Sequence, residues 1–203
     1  MSEIFVTSDT HFGHQPEFLW KPRGFSSVEE MDEAIIENWN KIVKPNDMVI
    51  HLGDTILSDN EKGMECFKRL NGQISLIWGN HDSDIRKKLL RTLPNVIALG
   101  YAHQFKYSKL SIYLSHYPTL TANFDSGKNF SQNVLNFHGH VHSRKPWIDP
   151  RNPFMYDVGM DAHNCTPVHI DEVITDIRQR WEEIGRLPIA LQPQDTYPYT
   201  SII

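Results

Sequence analysis

Five short β-type apolar runs in this 203-residue chain end in polar clusters of one chemical kind, and that repetition limits the fold more than any other feature. "IFVTS" leads to Asp9 and His11, "DMVIHL" to Gly53-Asp54, and "ISLIW" to Gly79-Asn80-His81-Asp82. "LSIYLS" leads to His116, and "NVLNF" to His140 and His142. Ligands of open α/β sheets bind beyond the carboxyl ends of strands, so five such ends can converge on one edge. His138, His140 and His142 alternate in "NFHGHVHSR" and by themselves fit a water-facing strand equally well; the other four clusters favour a shared site.

Further β-type runs are "NVIALGY", "FMYDVGM" and "TPVHI". Between the first two runs, Val28, Met31, Ile35 and Ile42 recur at helical spacing behind a Ser27…Glu30 capping box, and Pro45 ends the pattern. Helices are expected near 60–70, with Met64, Phe67 and Leu70 inward, near 83–92, and over "DEVITDIRQRWEEIG", with Asp171 as N-cap and Gly185 as stop. Strands alternating with helices, then strands in succession, predict a layered α/β fold with a mixed sheet or two packed sheets. Residues 1–185 are expected to form one domain, and the proline-bearing tail 186–203 an extended segment that packs on it or frays.

The formal charge of -5 gives no overall attraction to polyanions, so any such contact must be local. No basic leader precedes the first strand and no apolar run approaches the ~18 residues of a membrane span. Two cysteines make no disulfide framework and no Cys-x-x-Cys zinc site. A cytoplasmic protein with no membrane association and no obligatory protein partner is expected.

Two carboxylates, one amide and four imidazoles suit two hard-to-borderline divalent cations. If Asp54 bridges both, the protein under-neutralises the ions, leaving positive charge for a hydroxide and an anionic substrate such as a phosphate ester. Gly53, Gly79 and Gly139 allow sharp turns and close approach at three of the strand ends.

With "DTH" (9–11), "GD" (53–54), "GNHD" (79–82), His116 and "GHVH" (139–142) in this order, the chain resembles the calcineurin-like metallophosphoesterases. "SDTHFGH" and "VGMD…PVHIDEV" are similar to small stand-alone bacterial and bacteriophage members. The resemblance implies a sandwich of two mixed β-sheets flanked by helices. It implies Asp9, His11, Asp54 and His142 around one metal and Asp54, Asn80, His116 and His140 around the other. Manganese is expected first, with iron, nickel, magnesium or zinc as alternatives. His81 would donate a proton to the phosphate or leaving group, and Asp82 would orient its imidazole.

The implied activity is hydrolysis of phosphate esters through a metal-bridging hydroxide, on nucleotide-like diesters in preference to monoesters. A phosphomonoesterase or a non-catalytic interaction module on the same fold are the alternatives. "TILSD" follows Gly53-Asp54 where the protein phosphatases carry an arginine-bearing motif, which disfavours phosphoprotein. His14, Trp20 and Arg23 in one loop and Arg144, Lys145, Trp147 and Arg151 in another offer themselves for substrate contact, though solvated loops explain them as well. His138 reads as packed behind the site and His51 as a hydrogen-bonded core histidine.

Overall fold

The computed structural model describes residues 2–121, 129–149 and 152–185; the expected C-terminal tail and Arg151 lie outside the described residues. Among the described residues, nine strands form two sheets. The first has the order β4-β3-β2-β1-β9, with β1 (Ile4–Thr7), β2 (Met48–His51), β3 (Gln73–Ile77) and β4 (Val96–Gly100) parallel and β9 (Val168–His169) antiparallel to β1. The second has the order β5-β6-β7-β8. In it β5 (Ala102–Tyr107) runs antiparallel to β6 (Leu110–Ser115), while β7 (Val134–His138) and β8 (Met155–Asp157) run parallel to β6. This is the expected sandwich of two mixed sheets with flanking helices.

Strand alternation sorts the side chains between two cores. Phe5, Val49, Ile74 and Leu76 face a layer formed by α2 (Val28–Ile42), α3 (Asn60–Lys68) and α4 (Asp84–Leu90), including Met31, Ile35, Trp39, Phe67 and Leu90. Val6, Ile50 and Ile77 point the other way, into a core shared with Ile112, Leu135, Phe137 and Tyr156 of the second sheet. The same core takes Ile170, Val173 and Ile177 from α5 (Ile170–Gly185).

The helix signals translate with small shifts. Ser27 accepts the Glu30 N–H at 3.2 Å, but the Glu30 carboxylate reaches back to the Ser26 N–H at 2.7 Å rather than to Ser27. Asp171 is not an N-cap, because α5 starts at Ile170 directly from β9 and places Asp171 inside its first turn. A four-residue helix, α1 (Glu17–Trp20), and strand β5 have no counterpart in the sequence reading. In β5 four of the six residues of "AHQFKY" are exposed, so it shows no apolar alternation; it follows β4 through Gly100, whose φ of +103° turns the chain.

Both cysteines are buried and free. Among the described residues, no helix is long and apolar enough to cross a membrane.

Candidate metal centre

The five expected clusters follow β1, β2, β3, β6 and β7, and they meet at one edge of the sandwich. Asp9, His11, Asp54, His140 and His142 all adopt positive φ, between 49° and 73°, which makes them five of the ten such non-glycine residues described. Left-handed backbone costs a non-glycine residue of order 1–3 kcal/mol, and its concentration in one cluster makes this edge the candidate site.

Each carboxylate is held by one oxygen and offers the other. Asp54 Oδ1 accepts the His81 backbone N–H at 2.8 Å; its Oδ2 lies 3.8 Å from His11 Nε2 and 3.4 Å from His116 Nε2. Asp9 Oδ2 accepts the His140 N–H at 2.9 Å; its Oδ1, buried without a hydrogen-bond partner, lies 3.7 Å from His11 Nε2 and 3.9 Å from His142 Nε2. The two carboxylates also lie against glycine backbone: a Cβ on Gly79 would overlap the Asp54 carboxylate, and one on Gly139 would overlap that of Asp9.

Imidazole nitrogens complete the set. His11 Nε2 and His142 Nε2 face each other at 3.2 Å, and His116 Nε2 stands 2.8 Å from Asn80 Oδ1. His116 Nδ1 is 2.8 Å from the Leu52 carbonyl, which fixes the proton there and leaves Nε2 toward Asp54. Burial, then the charge of Arg23, pushes the His11 pKa well below its ordinary value, keeping a lone pair free. For His116 burial is outweighed by the Asp54 hydrogen bond and the charges of Asp9 and Asp54, which lift it to about 9.

Ligand atoms of Asp9, His11 and His142 lie within 4.8 Å of one another, as do those of Asp9, Asp54 and His116. A buried orphan carboxylate oxygen and opposed imidazole nitrogens fit divalent cations with mixed oxygen and nitrogen donors. His140 joins neither group; its ring packs 5.1 Å from that of His116 and 4.7 Å from that of Tyr117.

Several expected roles change. The Asp82 carboxylate does not serve the His81 ring, because its oxygens accept the N–H groups of Gly79, Asp54 and Thr55 and the Thr55 hydroxyl at 2.8–3.2 Å. Asp82 therefore ties the β2 and β3 loops together beneath Asp54. Arg23 does not face substrate: its side chain is 1% exposed, pairs with Asp161 at 2.6 and 3.1 Å and donates to the Asp9 carbonyl at 2.8 Å.

Asp161 is the residue that sequence reasoning missed, and it also stands 2.8 Å from His142 Nδ1. Burial opposes its ionisation, but His142 and Arg23 hold its carboxyl below the usual range. Its signal was present as Gly159-Met160-Asp161 just beyond β8, a sixth strand end of the same chemical kind.

Arg144 donates to the Pro22 carbonyl at 2.6 Å. Lys145 and Trp147 line a cavity against Asp176, Gln179, Arg180 and Glu183 of α5, and the Trp147 ring packs 5.4 Å from Tyr156, so neither faces the centre. The Trp20 indole donates to the Gln15 carbonyl at 2.9 Å. His14 does lie beside the centre, in a cavity of about 360 Å³ that shares His11, His81 and His142 with it. As expected, His51 and His138 are core histidines; burial drives them to about 3 and about 4.

The description "Calcineurin-like phosphoesterase superfamily domain" matches residues 2–151. An uncharacterized protein of Methanocaldococcus jannaschii is 33% identical over 185 residues, covering 86% of this chain and 90% of that one. The Gene 66 protein of Mycobacterium phage D29 is 27% identical over 203 residues, covering 88% and 99%. A crystal structure of a protein of unknown function from Aquifex aeolicus superposes with a TM-score of 0.66 at 24% identity, covering 86% of this chain and 99% of that one, a likeness of fold.

Proposed function

The chain belongs to the calcineurin-like phosphoesterase superfamily, and on that premise we propose that it is a dinuclear-metal-dependent phosphodiesterase acting on nucleotide-like phosphate esters. The observation that carries this reading is Asp54: one oxygen is pinned by the His81 N–H, and the other faces His11 and His116 together, a position from which it could serve both ions. Asp9, His11, Asp54 and His142 would hold one ion, and Asp54, Asn80, His116 and His140 the other. Bound there, divalent cations supply Lewis-acid stabilisation of phosphoryl charge and acidify a water. Manganese is the first metal of this reading, with iron, nickel, magnesium or zinc as alternatives, and the mixed oxygen-nitrogen donor set admits each of them.

The remaining steps belong to the chain itself. Asp161 holds the His142 proton on Nδ1, so that Nε2 presents a lone pair. The His81 ring lies on the rim of the adjacent cavity, 5.7 Å from the His11 ring, where it serves as proton donor to the departing oxygen. Diester preference rests on the charge of the cavity wall: among the described residues Arg86 is the one arginine or lysine lining it, set against the single negative charge of a diester rather than the greater charge of a monoester. In this reading residues 1–185 form the phosphoesterase domain of a cytoplasmic enzyme that needs no protein partner.

The test is hydrolysis of bis-p-nitrophenyl phosphate against p-nitrophenyl phosphate with manganese, each beside a chelator control. Faster metal-dependent release from the diester is expected. Faster release from the monoester would make the protein a phosphomonoesterase, and no release from either would leave a binding module.

A further inference from the structure

The cavity beside the centre has apolar walls of Phe18, Leu19 and Leu57 and polar groups from His14, Ser58 and Arg86, with no carboxylate in its lining among the described residues. Its volume of about 360 Å³ lies at the small end of the range for small-molecule sites, roughly 300–1,000 Å³. The Phe18 side chain is 74% exposed, held edge-on to the His14 ring at 5.2 Å, so a large aromatic face is presented to solvent next to the chemistry.

His14 supplies an independent sign of a ligand. The residue is only 6% exposed; its Nδ1 is 3.1 Å from the Ser58 hydroxyl, and its Nε2 is buried with no partner. An unpaired buried polar atom destabilises the fold that holds it, and here it belongs to a residue that lines the cavity. Arg86 is fixed by Asn60 at 2.8 Å and by the His81 carbonyl at 2.6 Å, so its guanidinium is a rigid part of the same wall.

We propose that this cavity is a nucleobase subsite: Phe18 stacks on the base, His14 Nε2 hydrogen-bonds its polar edge, and the attached phosphate points toward the shared histidines. With Phe18, Leu19 and Leu57 as its apolar walls, Ser58 and Arg86 already hydrogen-bonded within the protein and His14 Nε2 left over, the slot fits a flat heterocycle better than a sugar, which needs many polar partners, or a lipid tail, which would leave His14 unpaired. The assignment rests on the phosphodiesterase reading and makes Phe18 and His14 its specificity residues.

The test is calorimetric titration of the manganese-loaded full-length protein with uridine 5′-monophosphate, adenosine 5′-monophosphate and ribose 5-phosphate, which share the sugar phosphate and differ in the base. Wild type is expected to bind at least one nucleotide about tenfold more tightly than ribose 5-phosphate. Phe18→Ala, at an exposed position, should shrink that advantage to about twofold, and the ring-preserving His14→Phe should shrink it as well. Equal affinity for all three ligands in wild type, or a Phe18→Ala loss shared equally with ribose 5-phosphate, overturns the subsite. Hydrolysis of bis-p-nitrophenyl phosphate separates the two readings. Turnover without a base advantage removes the subsite and keeps the enzyme; a base advantage without turnover removes the enzyme and keeps the subsite.

Discussion

His142 Nδ1 lies 2.8 Å from Asp161 Oδ2, and the same carboxylate pairs with the buried guanidinium of Arg23. One side chain thus sets the imidazole tautomer and neutralises a cation that is otherwise shut away from water. Asp161→Ala should lower manganese affinity by roughly 10–100-fold, the usual effect of losing a carboxylate behind a metal-binding histidine. It should also cost the metal-free fold about 3–5 kcal/mol, because Arg23 is left buried and unpaired. Metal titration and urea unfolding read the two effects separately; unchanged manganese affinity would reduce Asp161 to a structural counter-ion.

The Asp54 arrangement makes a sharper demand. If its Oδ2 serves both ions, Asp54→Ala should lose both after dialysis, whereas His11→Ala or Asn80→Ala should chiefly empty one. Metal content per chain, measured after exhaustive dialysis, decides this. An Asp54→Ala protein that keeps two ions would remove Asp54 from the bridge.

Asp82 accepts four hydrogen bonds from the loops that carry Asp54 and Asn80, so its removal should act on the centre as a whole. Asp82→Ala leaves buried N–H groups of Asp54 and Gly79 unpaired, at about 1–3 kcal/mol each, and should reduce metal occupancy. Its activity loss should be uniform across leaving groups. Retained metal with a loss confined to poor leaving groups would instead return Asp82 to a role through His81.

The contrast between Asp82 and Asp161 shows what the sequence could and could not convey. That the five polar clusters meet at one edge was legible because a β-type run fixes where a strand ends, and each cluster lies in the few residues that follow one. Asp82 sits inside "GNHD", and adjacency suggested service to His81, but the turn after β3 points its carboxylate back beneath Asp54. The Arg23–Asp161 pair spans 138 positions, a contact that no local pattern encodes. Trp147 and Lys145 carried the composition of a binding loop, yet composition gives no direction, and the chain lays both against α5. The mostly exposed β5 lacked the alternation by which strands are found.

Asp32 gives the fold a pH dependence away from the centre. Its carboxylate is 1% exposed and accepts the Gly13 N–H at 3.0 Å; burial raises its pKa from 3.8 to about 6, with the Gly13 bond opposing. Between those values the native state binds more protons than the unfolded chain, so this contribution is fully present below pH 3.8 and is lost as pH rises to about 6. The loss is at most about 3 kcal/mol. In Asp32→Asn this component is absent, so the variant should gain relative to wild type from pH 4 to pH 7, whatever constant offset the amide introduces. Denaturant unfolding of the metal-free proteins across that interval checks it, and parallel stability curves would contradict it.

The role of His81 rests on its place at the cavity rim rather than on any contact with the carboxylates through its ring. Its backbone N–H holds Asp54 Oδ1, an interaction that survives replacement of the side chain. His81→Ala should therefore keep both metals. A general acid contributes typically ~10²–10⁴-fold, and most where the departing oxygen is too basic to leave as an anion. A p-nitrophenolate departs unaided, so bis-p-nitrophenyl phosphate should still be cleaved by the variant while an alkyl diester such as a ribose-linked phosphate loses far more. Rates across leaving groups of rising pKa, with metal content measured in parallel, distinguish the roles. Loss of metal would make His81 a ligand or a structural residue, and a uniform rate loss would assign its ring to phosphate charge instead of proton donation.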